Sequence, residues 1–411
     1  MRKYVPKVKG QQMHLCLLLA AVFLNLMVNP FPAVMAAYTN GPGILPVSVP
    51  EGYDEDTWER LNDNLLEYEE LADRIKEFNS NMISADGAFQ AAMEDVSDEA
   101  RSAYKEAEDY RNDADDLRDS GGTSTVEGQI MYATLRAYQK AMQSTGDQIS
   151  RAVEVNSRPN SSSYGSVRKA WKQLTSAAQQ VMLGYSTAVS QKNTLLAMEE
   201  MYDRIYDSTV KKQKLGMATD AELLAAKKNA LAAKSSLSSL DNTIDSLRST
   251  LCLMTGWNEG DFPEICPVPP LDMERIEKIN LETDTDAAIR NNYTIISTRH
   301  EDSDQTSAGF KSKARSVSQS EQMVAIELEN IYGDIKKNMK EYEASVTAYE
   351  QALITQKAAN VQLQNGMISC SDYLGLQISV FQAEGEKNSS ELALRRSVEE
   401  YYWATEGLLD F

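Results

Sequence analysis

Histidine and cysteine are nearly absent from this chain. Of the two histidines, His14 lies in an apolar leader and only His300 lies beyond it. Of the four cysteines, Cys16 is in the same leader, and Cys252, Cys266 and Cys370 show no metal-ligand spacing. A zinc site or a histidine-based catalytic set has almost nothing to be built from, and no Gly-rich phosphate loop occurs. We therefore expect a non-enzyme with no catalytic residue, no metal and no cofactor. The many carboxylates recur at helical surface spacing, which is that of solvated faces rather than of a paired-acid cleft. Cys252 and Cys266 stand close enough in sequence to pair across the segment that follows a helix; an exported chain permits that disulfide without requiring it.

Helix breakers and positive charge are scarce as well. Eleven prolines and twenty glycines are gathered at a few places in 411 residues, which leaves long stretches free to be helical. No alternating run approaches the roughly ten residues of a membrane β-strand, and Thr294-Ile295-Ile296, though β-branched, sits in a helical context. With 41 Lys and Arg against 61 Asp and Glu, the net charge is −20. So acidic a chain repels nucleic acid and anionic lipid surfaces.

The sequence begins with a targeting signal. Arg2, Lys3, Lys7 and Lys9 precede an apolar run from Leu15 to Val28, and Val34 and Ala36 stand at signal-peptidase spacing, so residues 1–36 read as a signal peptide cleaved after Ala36. The alternative is an uncleaved anchor, but the run is shorter than the roughly 20 residues of a spanning helix. Cys16 starts the apolar run and does not follow it, so no lipoprotein pattern exists. Removal of the signal takes away four positive charges and leaves −24. No later stretch is apolar enough to span a membrane, which places the mature chain outside the cytoplasmic membrane: in the cell envelope, associated with an outer membrane if the cell has one, otherwise at the surface.

Beyond an extended leader at 37–53, the pattern is helical nearly throughout. Trp58, Leu61, Leu65, Tyr68, Leu71, Ile75, Phe78 and Met82 recur at steps of three and four, predicting one helix from about 54. A second stripe runs from Phe89 to Leu117 and breaks at Ser120-Gly121-Gly122. Helices follow over about 126–154, 166–213 and 220–254. The last carries a heptad of Ala230, Ala233, Leu237, Leu240, Ile244, Leu247, Leu251 and Met254. Pro263, Pro267, Pro269 and Pro270 mark a linker at 258–282. Helices over about 283–304, 318–364 and 371–409 complete the chain. The fold class is all-α: long antiparallel helical hairpins, coiled-coil-like, in two tandem repeats with little or no β structure.

The two copies superpose by sequence. Leu215-Gly216-Met217 precedes Glu222, and Asn365-Gly366-Met367 precedes Asp372, at a constant offset of 150. Upstream, Asn62-Asp63-Asn64 echoes Asn291-Asn292 at an offset of 228, which makes the first copy 78 residues longer. The first repeat then covers 54–257, with an expanded N-terminal helical part, and the second covers 283–411. A glycine permits the left-handed turn that reverses a helix, and a carboxylate at the start of the next helix suits its dipole. Both features also describe any helical hairpin.

Paired in this way, the hairpins resemble the TolC-like outer membrane efflux proteins, or outer membrane factors. Ala288-Ile289-Arg290-Asn291-Asn292 and Leu253-Met254-Thr255-Gly256-Trp257 resemble short motifs at the start and the end of that family's repeats. The resemblance implies a homotrimeric tunnel whose tips meet a periplasmic adaptor (membrane fusion) protein serving an ABC-type or similar inner-membrane pump. Carried over, Gly216, Met217 and Glu222 form one adaptor-binding tip, and Gly366, Met367 and Asp372 the other. The family also inserts strands that close a β-barrel, and this chain leaves no room for them in its second copy. That departure implies a cell without an outer membrane, or a partner that supplies the pore. The competing reading is a structural coiled-coil spacer or scaffold of the envelope, which needs turns but not matched ones. Lys211, Lys212 and Lys214 read as helix C-terminal cations, Tyr401, Tyr402 and Trp403 as packing for the last helix, and Phe411 as incidental.

Overall fold

The computed structural model describes residues 49–50, 52–158, 161–258, 260–261, 263–300 and 306–409. The signal peptide, most of the extended leader and Phe411 lie outside the described residues. The chain divides into two compact units, one comprising residues 84–164 and the other residues 45–83 and 165–411.

The larger unit opens with α1 (Glu55–Leu61), a two-residue strand β1 (Leu65–Leu66) and α2 (Leu71–Phe78), where the stripe pattern predicts one helix. Asparagine and aspartate side chains break it. Asn62 caps α1 and donates to the Trp58 carbonyl at 2.7 Å, and Asp63 accepts from the Leu65 amide at 2.7 Å, the local bonds by which such residues compete with a helix. The break also shifts the burial: Leu65 is exposed and Leu66 is fully buried. β1 pairs in parallel with β2 (Glu264–Ile265), which fastens the proline-rich linker to the start of the unit. Farther along the linker, the carbonyls of Pro269 and Pro270 accept from the buried Arg395 guanidinium. These are the only strands among the described residues.

Four long helices form the body of this unit: α5 (Gly165–Lys214), α6 (Asp220–Met254), α10 (Ser307–Gln364) and α11 (Cys370–Thr405). α5 packs on α6, α10 packs on α11, and α5 packs on α11. The heptad of α6 is its packed face: Ala230, Ala233, Leu237, Ile244 and Leu251 are buried, and Leu240, Leu247 and Met254 are half-buried. Met201 of α5 meets Leu374 and Ile378 of α11 in the seam between the hairpins. Three shorter helices, α7 (Met273–Glu277), α8 (Leu281–Asn291) and α9 (Tyr293–His300), lie between the two hairpins in sequence. α8 and α9 pack on α10 and α11 around Ile295, Leu328, Ile335, Leu394 and Val398. α10 starts eleven residues before the expected 318. Thr306 caps it by accepting from the Gly309 amide at 3.1 Å, and the Lys, Arg, Ser and Ala residues that follow tolerate a helix without an apolar face.

Each repeat is closed by a junction of the same design. At the end of α2, Asn79 donates through its side chain to the Met254 carbonyl at 2.8 Å and accepts from the Asn81 and Met82 amides. At the end of α8, Asn292 donates to the Leu409 carbonyl at 2.8 Å and accepts from the Ile295 amide at 3.0 Å. Each asparagine thus ties the end of the repeat's last helix to the start of another. Gly256 (φ +80°) and Gly407 (φ +95°) close the two junctions, and a Cβ at either would fall on a backbone carbonyl, of Phe78 and of Asn291. The partner of Asn292 is therefore Asn79 and not the Asn62-Asn64 stretch, and the first copy is longer by 63 residues rather than 78.

The smaller unit takes up most of that extra length. It holds the greater part of α3 (Ser80–Asp119), a 3₁₀ turn at Gly122–Ser124, and α4 (Val126–Asn156). Met93, Ala100, Ala103, Ala107 and Ala114 of α3 and Ile149 of α4 are buried, and small side chains predominate among them. Gly146 lies directly under the Tyr104 ring, whose hydroxyl donates to Asp147 at 2.8 Å. Asp115 and Arg136 pair at 2.7 Å. No helix among the described residues is long and apolar enough to cross a membrane.

Candidate functional site

The two hairpin tips are built alike, residue by residue. At the end of α5 the Gly216 amide donates to the Gln213 carbonyl at 2.9 Å and the Met217 amide to the Lys212 carbonyl at 2.8 Å. At the end of α10 the Gly366 amide donates to Leu363 at 3.0 Å and the Met367 amide to Gln362 at 2.8 Å. This is the Schellman closure of a helix, and it requires the left-handed backbone that both glycines adopt, each at φ +70°. Nothing lies near either glycine.

The next helix starts in the same way at each tip. Thr219 accepts from the Glu222 amide at 3.2 Å, and the Glu222 carboxylate accepts from the Thr219 amide at 2.7 Å. Ser369 and Asp372 repeat the exchange at 3.1 and 3.3 Å. These are capping boxes, which satisfy two orphan amides reciprocally. The helix dipole alone is thus not what the carboxylates serve. Backbone and side-chain hydrogen bonds from Thr219 hold the Glu222 carboxyl below the usual range, and the side-chain and backbone bonds from Ser369 do the same for Asp372. Lys212 adds attraction to both carboxylates, so both tips stand at one end of the bundle. Sequence reasoning passes over Thr219 and Ser369, and reads Lys212 only as a helix C-terminal cation. The [Ser/Thr]-x-x-[Asp/Glu] spacing behind each Gly-Met pair is the signal that finds the two caps.

The tips present large apolar side chains to solvent among polar ones. Met217 and Met367 are each 73% exposed, Leu215 is 74% exposed and Leu224 is 68% exposed. Flexible, polarizable methionine suits a surface that must adapt to a partner. The structure therefore brings Gly216, Met217, Glu222, Gly366, Met367 and Asp372 to one end. Cys252 and Cys266 lie elsewhere, as free thiols near the α6 junction and next to β2; burial pushes the Cys252 thiol up. No group of carboxylates, thiols or imidazoles that would hold a metal occurs among the described residues.

No family model matches the sequence, and no curated protein matches it. Among solved structures, a membrane protein from Pseudomonas aeruginosa aligns at a TM-score of 0.54 and 12% identity, over 83% of this chain and 90% of that one. The chain has that protein's fold. The outer-membrane channel OprN aligns at 0.48 and 11% identity, over 86% and 93% of the two chains. The CmeC outer membrane channel of Campylobacter jejuni aligns at 0.41 and 12% identity, over 92% and 94%. The fold is the tandem-hairpin, nearly all-helical one that the sequence pattern predicts.

Proposed function

We propose that this chain is a TolC-like, extracytoplasmic helical component of an efflux or secretion assembly, and that it docks through its two hairpin tips. One observation carries the reading. Two turns 150 residues apart share the same closure, the same capping box and the same exposed methionine, and they stand at one end of the bundle. A spacer needs two turns but has no use for matched ones. The recognition is helix against helix, with apolar side chains supplying the affinity and no chemistry at the site. The partners are further copies of this chain, as a homotrimer, and a membrane-fusion-type adaptor serving an ABC-type or similar pump. The tunnel is helical, and passage through an outer membrane, where one exists, falls to another protein.

The first test is the mass of residues 37–411 by light scattering after gel filtration. A stable trimer supports the tunnel, and a chain that stays monomeric at high concentration overturns it. The second places a photo-crosslinking amino acid at Met217 or Met367 in the source cell. Capture of an envelope protein with its own helical hairpin, absent when the probe is at Leu253, supports docking. Equal capture at all three positions removes it.

A further inference from the structure

The two tips match in backbone and differ in charge. From Ser208 to Lys228 the first carries Lys211, Lys212, Lys214, Lys227 and Lys228 against Asp220 and Glu222. The equivalent stretch of the second, 150 residues on, carries Asp372 alone. Five lysines thus stand against three carboxylates at the docking end of a chain whose net charge is −20. One residue farther back, Asp207 and Lys357 cancel. The three carboxylates are already occupied: Asp220 accepts from the Gln213 side chain at 2.8 Å, and Glu222 and Asp372 close the capping boxes. Lys211, Lys214, Lys227 and Lys228 are exposed, and none of them enters an ion pair among the described residues. The ion pairs nearest in sequence, Arg204 with Glu200 and Lys234 with Asp203, lie farther from the turn. On α6 the free cations share a face with free apolar side chains. Leu224, Lys228 and Leu231 follow at steps of four and three, with Lys227 beside them. Leu224 is 68% exposed and Leu231 is 57% exposed, while Ala226, Ala230 and Ala233 on the opposite side are buried.

We infer that the first tip is a cationic docking surface, and that its partner is a different protein presenting an acidic amphipathic helix alongside the first three turns of α6. Carboxylates of that helix pair with Lys211, Lys214, Lys227 and Lys228, and its apolar side chains cover Leu224 and Leu231. Charge excludes a second copy as the occupant. A copy packed alongside with its tips at the same level brings the same five lysines and the same three occupied carboxylates, so the two repel there. Geometry favours a helix over a lipid surface. Lys227 and Lys228 lie about 11–12 Å along α6 from its start at Asp220, and Leu231 about 17 Å. A flat anionic surface touching the turns would leave those lysines beyond the Debye length, about 8 Å at 0.15 M salt, and would leave Leu231 in water. A helix running beside α6 reaches all three. The second tip, with no free charge, supplies only apolar contact through Met367, so the first tip sets which partner docks and the second adds area. The inference rests on the reading that the tips dock.

Photo-crosslinking from Met217 of the full chain in the source cell tests it. One variant carries Lys211→Glu, Lys214→Glu, Lys227→Glu and Lys228→Glu, and a second carries arginine at the same four positions. A control with Lys105→Glu, Lys140→Glu, Lys311→Glu and Lys340→Glu makes the same change in net charge at exposed positions outside both tips. Unchanged far-UV circular dichroism verifies each fold; where four glutamates cost folding, four glutamines replace them, with an expected loss of at least threefold. The glutamate variant should capture at least tenfold less than the parent, and the arginine and control variants should stay within twofold of it. The captured peptide should carry more Asp and Glu than Lys and Arg. Undiminished capture in the glutamate variant, an equal loss in the control, or a captured peptide of net positive charge overturns the inference while docking stands. No capture in the parent removes docking and the inference together. Capture of this chain itself overturns the inference in favour of contact between copies. A fluorophore on Met217→Cys, in a chain with Cys370→Ser, that shifts to the blue with phosphatidylglycerol vesicles, with no protein captured, overturns it in favour of a lipid surface.

Discussion

Gly216 and Gly256 have nearly the same φ, +70° and +80°, and opposite surroundings. The tip glycine faces open space, while the junction glycine lies against the Phe78 backbone. Gly216→Ala meets only the left-handed penalty, about 1–2 kcal/mol. Gly256→Ala adds a collision with a carbonyl that cannot rotate away, for a cost of about 2–5 kcal/mol in all. Gly407→Ala belongs with Gly256→Ala, and Gly366→Ala with Gly216→Ala. Thermal melts of the four variants should fall into these two pairs; a Gly256→Ala protein that melts no lower than Gly216→Ala would contradict the junction packing. Both tip glycines are legible in the sequence, because a lone Gly between two helical patterns has few other uses. The repeat register is not, and the asparagines are the reason. Asn62, Asn64 and Asn79 look alike as letters, and only the bond from Asn79 to Met254 shows which one holds a junction.

Glu222 and Asp372 give the tips a pH response of known sign. Their carboxyls are held low in the fold, so the capping boxes are fully made above the unfolded carboxylate range near pH 4 and are lost as pH falls through the lower folded values. Amide protection at residues 217–223, taken relative to intrinsic exchange, should fall below about pH 4, sooner than in the middle of α6. Glu222→Gln should remove that step at the first tip and leave it at the second. An unchanged exchange profile in the variant would separate the carboxylate from tip order.

Among the elements, α6 is the most legible and the N-terminal segment the least. α6 buries one narrow line against α5, so its heptad maps onto its contacts. Leu237→Ala should cost about 2–4 kcal/mol, as for buried leucines generally. Leu231→Ala on the same helix, 57% exposed, should change stability by no more than about 0.5 kcal/mol. Urea titration of the two variants makes the comparison, and equal losses would mean that the α5–α6 pair does not carry the unit. The stripe from Trp58 to Met82 misleads because it keeps its three-four spacing through α1, β1 and α2. Apolar residues gather on one side of a folded-back segment as readily as on one side of a helix. The start of α10 escapes for the opposite reason: a helix extended beyond its packed face needs no apolar signal.

On the scale of the whole molecule, fold class follows from what is scarce: few breakers and no alternating runs leave little but helices. The function is less legible, since the tips are turns with exposed methionines, and turns occur in every hairpin. Their pairing is a property of the whole chain and emerges only when both copies are compared.

Assembly of such a chain must contend with its own charge. Each copy carries −20, or −24 without residues 1–36, and two copies repel over the Debye length, about 30 Å at 0.01 M salt and about 8 Å at 0.15 M. If the contacts between copies are apolar helix faces, salt screens the repulsion and leaves the attraction. The oligomeric fraction should then rise as sodium chloride is raised from about 10 to about 150 mM, and change little beyond that. An interface built from ion pairs would weaken over the same range. Light scattering at a fixed chain concentration across the salt series separates the two cases. A mass that falls with salt would count against apolar contacts and favour contacts between the acidic surface of one copy and the lysines of another.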